Sequence, residues 1–170
     1  MGILKISGTV HKYGDNINTD IITPGKYMQL SIEEMAKHAM EGVDPDFASK
    51  VKQGDILVAE NNFGSGSSRE TAPLALKKAG IAAIVAKSYA RIFYRNSMNI
   101  GLPALEISEA NEINDKDILE IDLEKGSVIN ITQNKSYKFA SLPDRLVDML
   151  KAGGLVAQLK QNLKSKMISY

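Results

Sequence analysis

The stretch Asn61-Asn62-Phe63-Gly64-Ser65-Gly66-Ser67-Ser68-Arg69-Glu70 holds the side chains of this chain best suited to chemistry. Two hydroxyls and a guanidinium follow a flexible turn of small residues. The planar fork of Arg69 suits bidentate capture of a carboxylate, and the hydroxyls of Ser67 and Ser68 add polar groups beside it. The plainest reading is an N-capped helix after a glycine-rich turn. Several sharper readings fail on spelling. A dinucleotide fingerprint needs a third Gly where Arg69 stands, and a phosphate-binding P-loop needs a Lys followed by Ser or Thr. A nucleophile elbow needs its Ser between spaced glycines, whereas Gly64 is followed by Ser65 and Gly66. A serine hydrolase also needs a base, and the two His available, His11 and His38, read as surface residues. With two His and no Cys, a metal site made by this chain alone is disfavoured.

A second polar stretch, Gly14-Asp15-Asn16-Ile17-Asn18-Thr19-Asp20, favours turns over sheet ladders, because Asn and Asp side chains bond nearby backbone. Taken alone, Thr19-Asp20 is an ordinary Asx turn.

The elements that must position these loops follow from hydrophobic period. Residues 3–10 are β-branched and predict an opening strand. Ser31-Ile32-Glu33-Glu34 fits a capping box, with apolar residues at helical spacing up to Gly42. Residues 55–59 read as a buried strand, 69–79 as a helix stopped by Gly80, and 81–86 as a strand buried on both faces. Residues 89–99 read as a helix with Ile92, Phe93 and Met98 inward and Arg91 and Arg95 outward, followed by a strand at 103–107. This alternation predicts βαβ units with parallel strands. Segments 118–123, 128–132 and 137–139 predict an antiparallel meander; Ser141 to Asp144 opens a helix that ends at Gly153-Gly154, and 155–163 forms a last one.

Composition agrees with one compact domain over residues 1–170. The chain is 44% hydrophobic and 24% charged, and its 21 basic and 20 acidic side chains leave a net charge of +1. Near-neutral charge argues against nucleic acid, and the mixed aromatic and basic residues at 89–95 read as an amphipathic helix rather than a stacking surface. No apolar run is long enough to span a bilayer, and a strand from Ile3 is preferred over a lipidated Gly2, so a cytoplasmic protein is expected. The absence of Cys excludes disulfides and thiolate-held clusters within this chain.

Three blocks together carry a resemblance: residues 14–24, the loop at 61–70, and Lys87-Ser88-Tyr89-Ala90-Arg91-Ile92-Phe93-Tyr94-Arg95-Asn96-Ser97-Met98-Asn99 running on to Pro103. In that order they resemble the swivelling domain of the aconitase superfamily, in the free-standing form of its isopropylmalate dehydratase small-subunit family. The resemblance spans residues 3–160. It implies an α/β fold, the three-layer β/β/α swivelling domain. It also implies a partner: a large subunit whose three Cys hold a [4Fe-4S] cluster, with open iron polarising the leaving hydroxyl. The implied reaction is the reversible removal and re-addition of water on a substituted malate. By the same resemblance Ser67 falls on the catalytic serine, Ser68 and Arg69 on positions that hold a substrate carboxylate, and Thr19 and Asp20 on the active-site loop. Positive surroundings from Arg69 and a helix N-terminus would favour an alkoxide at Ser67.

Tyr27-Met28-Gln29-Leu30 falls on the family's substrate-recognition segment, where relatives that act on tricarboxylates carry an Arg. With Gln29 there, burying a third carboxylate would be costly, while Leu30 and Met28 can shelter an alkyl group. 3-Isopropylmalate, and hence leucine biosynthesis, is favoured. 2,3-Dimethylmalate and citramalate are alternatives because the segment is about a residue short for the family, and homoaconitase is less favoured. A non-catalytic scaffold module is the reading from a different class, and the intact Ser67-Ser68-Arg69 set argues against it.

Overall fold

Short apolar runs buried on both faces form the half of the fold that matters for the site. The structure, a computed structural model, describes residues 5–168. The chain opens on strand β1 (Lys5–Lys12) and passes through α1 (Thr19–Ile22), a 3-10 turn (Gly25–Tyr27), α2 (Ile32–Ala36) and α3 (Phe47–Lys50) to β2 (Ile56–Val58). Two crossovers follow: α4 (Thr71–Ala79) to β3 (Ala83–Ala86), and α5 (Arg91–Asn99) to β4 (Ala104–Glu106). The meander β5 (Ile118–Asp122), β6 (Ser127–Asn130) and β7 (Lys135–Lys138) comes next, and α6 (Asp144–Ala152) and α7 (Leu155–Ile168) end the described chain. Among the described residues no helix is long and apolar enough to cross a membrane.

The seven strands run in the order β4-β3-β2-β1-β5-β6-β7. β1 belongs to both halves of this curled sheet. Its first residues, Lys5 to Thr9, pair antiparallel with β5, and its last, Val10 to Lys12, pair parallel with β2. Side chains alternate across the parallel strands. Ile56, Val58 and Val85 enter one core with Leu119, Ile121 and Val128 of the meander. Leu57, Ile84 and Ala86 enter a second with Phe47, Leu76 and Phe93. Meander, parallel strands and helices thus make the three expected layers, with both faces of β2 and β3 buried against different neighbours.

Several boundaries depart from expectation. The opening strand ends two residues later than predicted, at Lys12; its predicted first residues, Ile3 and Leu4, lie outside the described residues, as does Gly2. The helix at α2 is capped as predicted, Ser31 Oγ accepting from the Glu34 N–H at 3.3 Å. It stops at Ala36 rather than reaching Gly42, and the chain then turns until Met40, at φ 61°, donates its N–H to Ile22 O. α4 begins at Thr71, two residues later than predicted. α6 starts after Pro143, with no side-chain cap from Ser141. α7 runs past Leu163 to Ile168. On α5, Phe93 and Met98 are buried as expected, but Ile92 is 51% exposed and so points outward. His11 is not a surface residue either. Its Nε2 lies 2.7 Å from Asp55 Oδ2, and its ring meets Phe47 edge-on at 5.6 Å.

Candidate active site

The loops that leave the carboxyl ends of β1, β2 and β3 are laced into one surface, in the position where open parallel sheets collect ligands. Beyond β1, the Asn16 N–H donates to Asn61 O, the Gly64 N–H to Ile17 O and the Thr19 N–H to Ser65 O, at 2.8 to 2.9 Å. Parallel pairing therefore continues past the strands. Side chains reinforce it: Asp15 Oδ1 accepts from the backbone N–H and side-chain amide of Asn61, and these bonds hold the Asp15 carboxyl below the usual range. The third loop joins through Phe63, whose N–H donates to Ser88 O and whose carbonyl accepts from Ala90 N–H. The Phe63 ring is fully buried and meets Tyr89 and Phe93 edge-on, which anchors the turn that follows.

That turn is possible because Gly64 and Gly66 adopt φ of 79° and 100°, in the region that disfavours side chains. A Cβ at Gly64 would sit 2.1 Å from Phe93 Cγ, and one at Gly66 would sit 3.2 Å from Thr19 Oγ1. The close approach at Gly66 brings Ser67 Oγ to 3.1 Å from Thr19 Oγ1. Thr19 is buried, whereas Ser67 and Ser68 are exposed. Neither serine caps the helix. Glu70 holds the N-cap position of α4 and makes no side-chain capping bond. The capping explanation for these hydroxyls thus falls away. The helix N-terminus expected to favour an alkoxide at Ser67 begins four residues later, at Thr71, and the group that meets Ser67 is Thr19.

Arg69 is half committed. Its Nη1 donates to Thr23 O at 3.0 Å and approaches Asp20 Oδ1 at 3.3 Å. Asp20 Oδ1 also accepts from the Gly25 N–H at 3.1 Å, so Asp20 ties the guanidinium to the start of the next loop. The Nη2 and Nε groups have no partner among the described residues, which leaves one edge of the fork for an incoming carboxylate.

The chain is similar to known proteins. A family model described as the aconitase C-terminal domain matches residues 4–110, the span that contains all three laced loops. The 3-isopropylmalate dehydratase small subunit of Nautilia profundicola is 54% identical over 160 residues, covering 94% of this chain and 96% of its own. The chain belongs to the aconitase family, among its 3-isopropylmalate dehydratase small subunits. Small subunit 1 of Thermotoga maritima is likewise 54% identical over 159 residues, covering 92% of this chain and 96% of its own. The crystal structure of 3-isopropylmalate dehydratase (leuD) from Methanocaldococcus jannaschii is 44% identical, covers 98% of this chain and 99% of its own, and superposes with a TM-score of 0.93. The chain is accordingly a subunit of a hydro-lyase, and a small subunit implies a large one.

Within this small-subunit fold, Thr19 meets Ser67 and Asp20 meets Arg69, while Ser68 stands exposed beside them. Gln29 and Leu30 are exposed on the loop after the Gly25–Tyr27 turn, and no side-chain hydrogen bond joins them to those five residues; Leu30 is 40% exposed. That loop reaches α4 through Met28, whose Sδ accepts from Thr71 Oγ1 at 3.9 Å. His38, expected at the surface, is instead half-buried against Tyr27 and Glu41. Its spacing of three residues from Glu41 was the available signal, because such pairs share a face in helical turns.

Proposed function

We propose that this small subunit joins a large subunit carrying a [4Fe-4S] cluster and interconverts 3-isopropylmalate and 2-isopropylmalate, a step of leucine biosynthesis. The observation that carries this reading is the exposed Ser67 hydroxyl, left out of helix capping and held by Thr19 on the same loop surface as a guanidinium with one free edge.

The chain's own residues do not fit a cluster. It has no Cys, and among the described residues no group of three or more His, Cys, Asp or Glu is placed to hold a metal ion. The cluster therefore falls to the large subunit, where when bound it supplies Lewis-acid polarisation of the leaving hydroxyl. We place the pair in the cytoplasm, the compartment that keeps such thiolates reduced.

Arg69, through Nη2 and Nε, grips one substrate carboxylate and with Ser68 orients the carbon beside it. Ser67, as the alkoxide, removes the proton from that carbon while the C–O bond at the neighbouring carbon breaks and hydroxide leaves. The proton then rests on Ser67 Oγ, with Thr19 as its hydrogen-bond partner. Re-addition reverses these events with the hydroxyl on the other carbon. Asp20 fixes Arg69, and Gln29 and Leu30 face the part of the substrate that distinguishes an alkyl group from a third carboxylate.

A panel of 3-isopropylmalate, 2,3-dimethylmalate, citramalate and homocitrate run anaerobically on the co-expressed pair tests this. The highest kcat/KM is expected for 3-isopropylmalate, with homocitrate at least about 10-fold lower. Equal turnover of isopropylmalate and homocitrate contradicts the reading of Gln29.

A further inference from the structure

The loop that carries Gln29 and Leu30 is fastened by a cluster of four side chains outside the reacting groups, Lys26, Tyr27, His38 and Glu41. The Tyr27 ring lies flat on the His38 imidazole, with centroids 3.8 Å apart and planes inclined by 12°. The Tyr27 hydroxyl donates to the Glu41 carboxylate, 2.8 Å from Oε1 and 3.0 Å from Oε2. His38 Nδ1 lies 2.7 Å from Oε2 of the same carboxylate, and Lys26 Nζ lies 3.3 Å from Oε1. These partners, the Tyr27 hydroxyl first, hold the Glu41 carboxyl below the usual range. The cluster is anchored in turn to α1. Met40, just before Glu41, donates its N–H to Ile22 O, and Ile22 ends the helix that carries Thr19 and Asp20.

We propose that Tyr27, His38 and Glu41 form a positioning clamp that fixes residues 28–30 relative to α1 and thereby sets which alkyl group the site accepts. The proposal rests on the alkylmalate reading above. It follows from where the contacts fall. Between Asp20, which holds Gly25, and Ser31, which caps α2, the loop closes on itself by turn bonds, Met28 N–H to Gly25 O and Leu30 N–H to Tyr27 O. Such bonds shape a turn without fixing it in space. Besides the 3.9 Å contact of Met28 Sδ with Thr71 Oγ1 on α4, the Tyr27 ring and hydroxyl connect that turn to the segment that follows α2, and Glu41 collects these connections at one carboxylate. A pocket wall on a fixed loop can discriminate alkyl groups that differ by one or two carbons, by about 10-fold or more; a wall on a loose loop cannot.

The test compares wild type, Glu41→Ala and Glu41→Gln in the reconstituted pair, with 3-isopropylmalate and citramalate as substrates. In Glu41→Ala the ratio of the two kcat/KM values is expected to fall about 10-fold, through KM, with kcat for 3-isopropylmalate within about 3-fold of wild type. Glu41→Gln, which keeps an acceptor for the Tyr27 hydroxyl, is expected to recover most of the ratio. An unchanged ratio in Glu41→Ala overturns the clamp while leaving a wild-type preference for isopropylmalate intact. A wild type without that preference overturns the alkylmalate reading instead. Amide exchange in the full chain alone judges the clamp without substrate: at Met28 and Leu30 it should quicken at least about 10-fold in Glu41→Ala, and unchanged exchange there overturns the clamp.

Discussion

Arg69 divides its donors, and that division fixes what a substitution should do. Nη1 is occupied by Thr23 O and Asp20, so in the proposed reading the free edge at Nη2 and Nε is the part left for substrate. A Lys at this position carries the charge but not the fork. Arg69→Lys should raise KM at least about 10-fold, the equivalent of losing one charge-assisted bond, with subunit association unchanged in a binding assay. A drop in association with catalysis intact would point to a scaffold role. The contiguous Ser67-Ser68-Arg69 set was legible in the sequence because three polar groups stand together after small residues. Its partners were less so. Thr19 lies 48 residues from Ser67, and their 3.1 Å contact depends on Gly66 allowing a close approach that spacing alone does not reveal.

At the scale of elements, the strands read clearly because burial on both faces leaves runs such as residues 81–86 almost wholly apolar. Helix ends read less clearly. The apolar spacing that extends to Met40 belongs to a chain that leaves the helix after Ala36 and is buried in turns, so burial imitates helical period. Polar side chains that stitch elements together escaped as well, and Asp117 at the start of the meander is one. It is buried, and its Oδ2 accepts from the Asn114 N–H, Asn130 Nδ2 and Gln133 Nε2 at 2.6 to 2.8 Å. Burial alone would raise this carboxyl, but the bonds from Asn114, Asn130 and Gln133, with Lys12 nearby, outweigh it and hold it below the usual range. Because the folded value is the lower one, its stabilisation is complete above the unfolded value of about 3.9 and is lost as pH falls through the folded value. Asp117→Asn, which turns an amide toward those donors or leaves one unmet, should cost about 1 to 3 kcal/mol at neutral pH. In thermal unfolding across pH, the gap to wild type should narrow below about pH 4; a gap that stays constant to pH 2 contradicts this assignment.

For the molecule as a whole, the fold explains why the candidate site is open. Three loops converge at one end of the parallel strands, yet Ser67 and Ser68 remain exposed and one edge of Arg69 has no protein partner among the described residues. A surface of this kind suits half of an active site, with water excluded only once a large subunit closes over it. In the proposed reading the absence of Cys, which at first reads as a limit on metal binding, is a division of labour in which the large subunit holds the cluster. On the same proposed reading this chain contributes the proton-transferring serine. The most direct measurement is kcat for 3-isopropylmalate with the anaerobically reconstituted pair, comparing wild type with Ser67→Ala after size-exclusion chromatography has shown that both form the complex. A loss of at least about 10²- to 10⁴-fold is expected for removing a general base; wild-type kcat in the assembled Ser67→Ala pair would contradict the account.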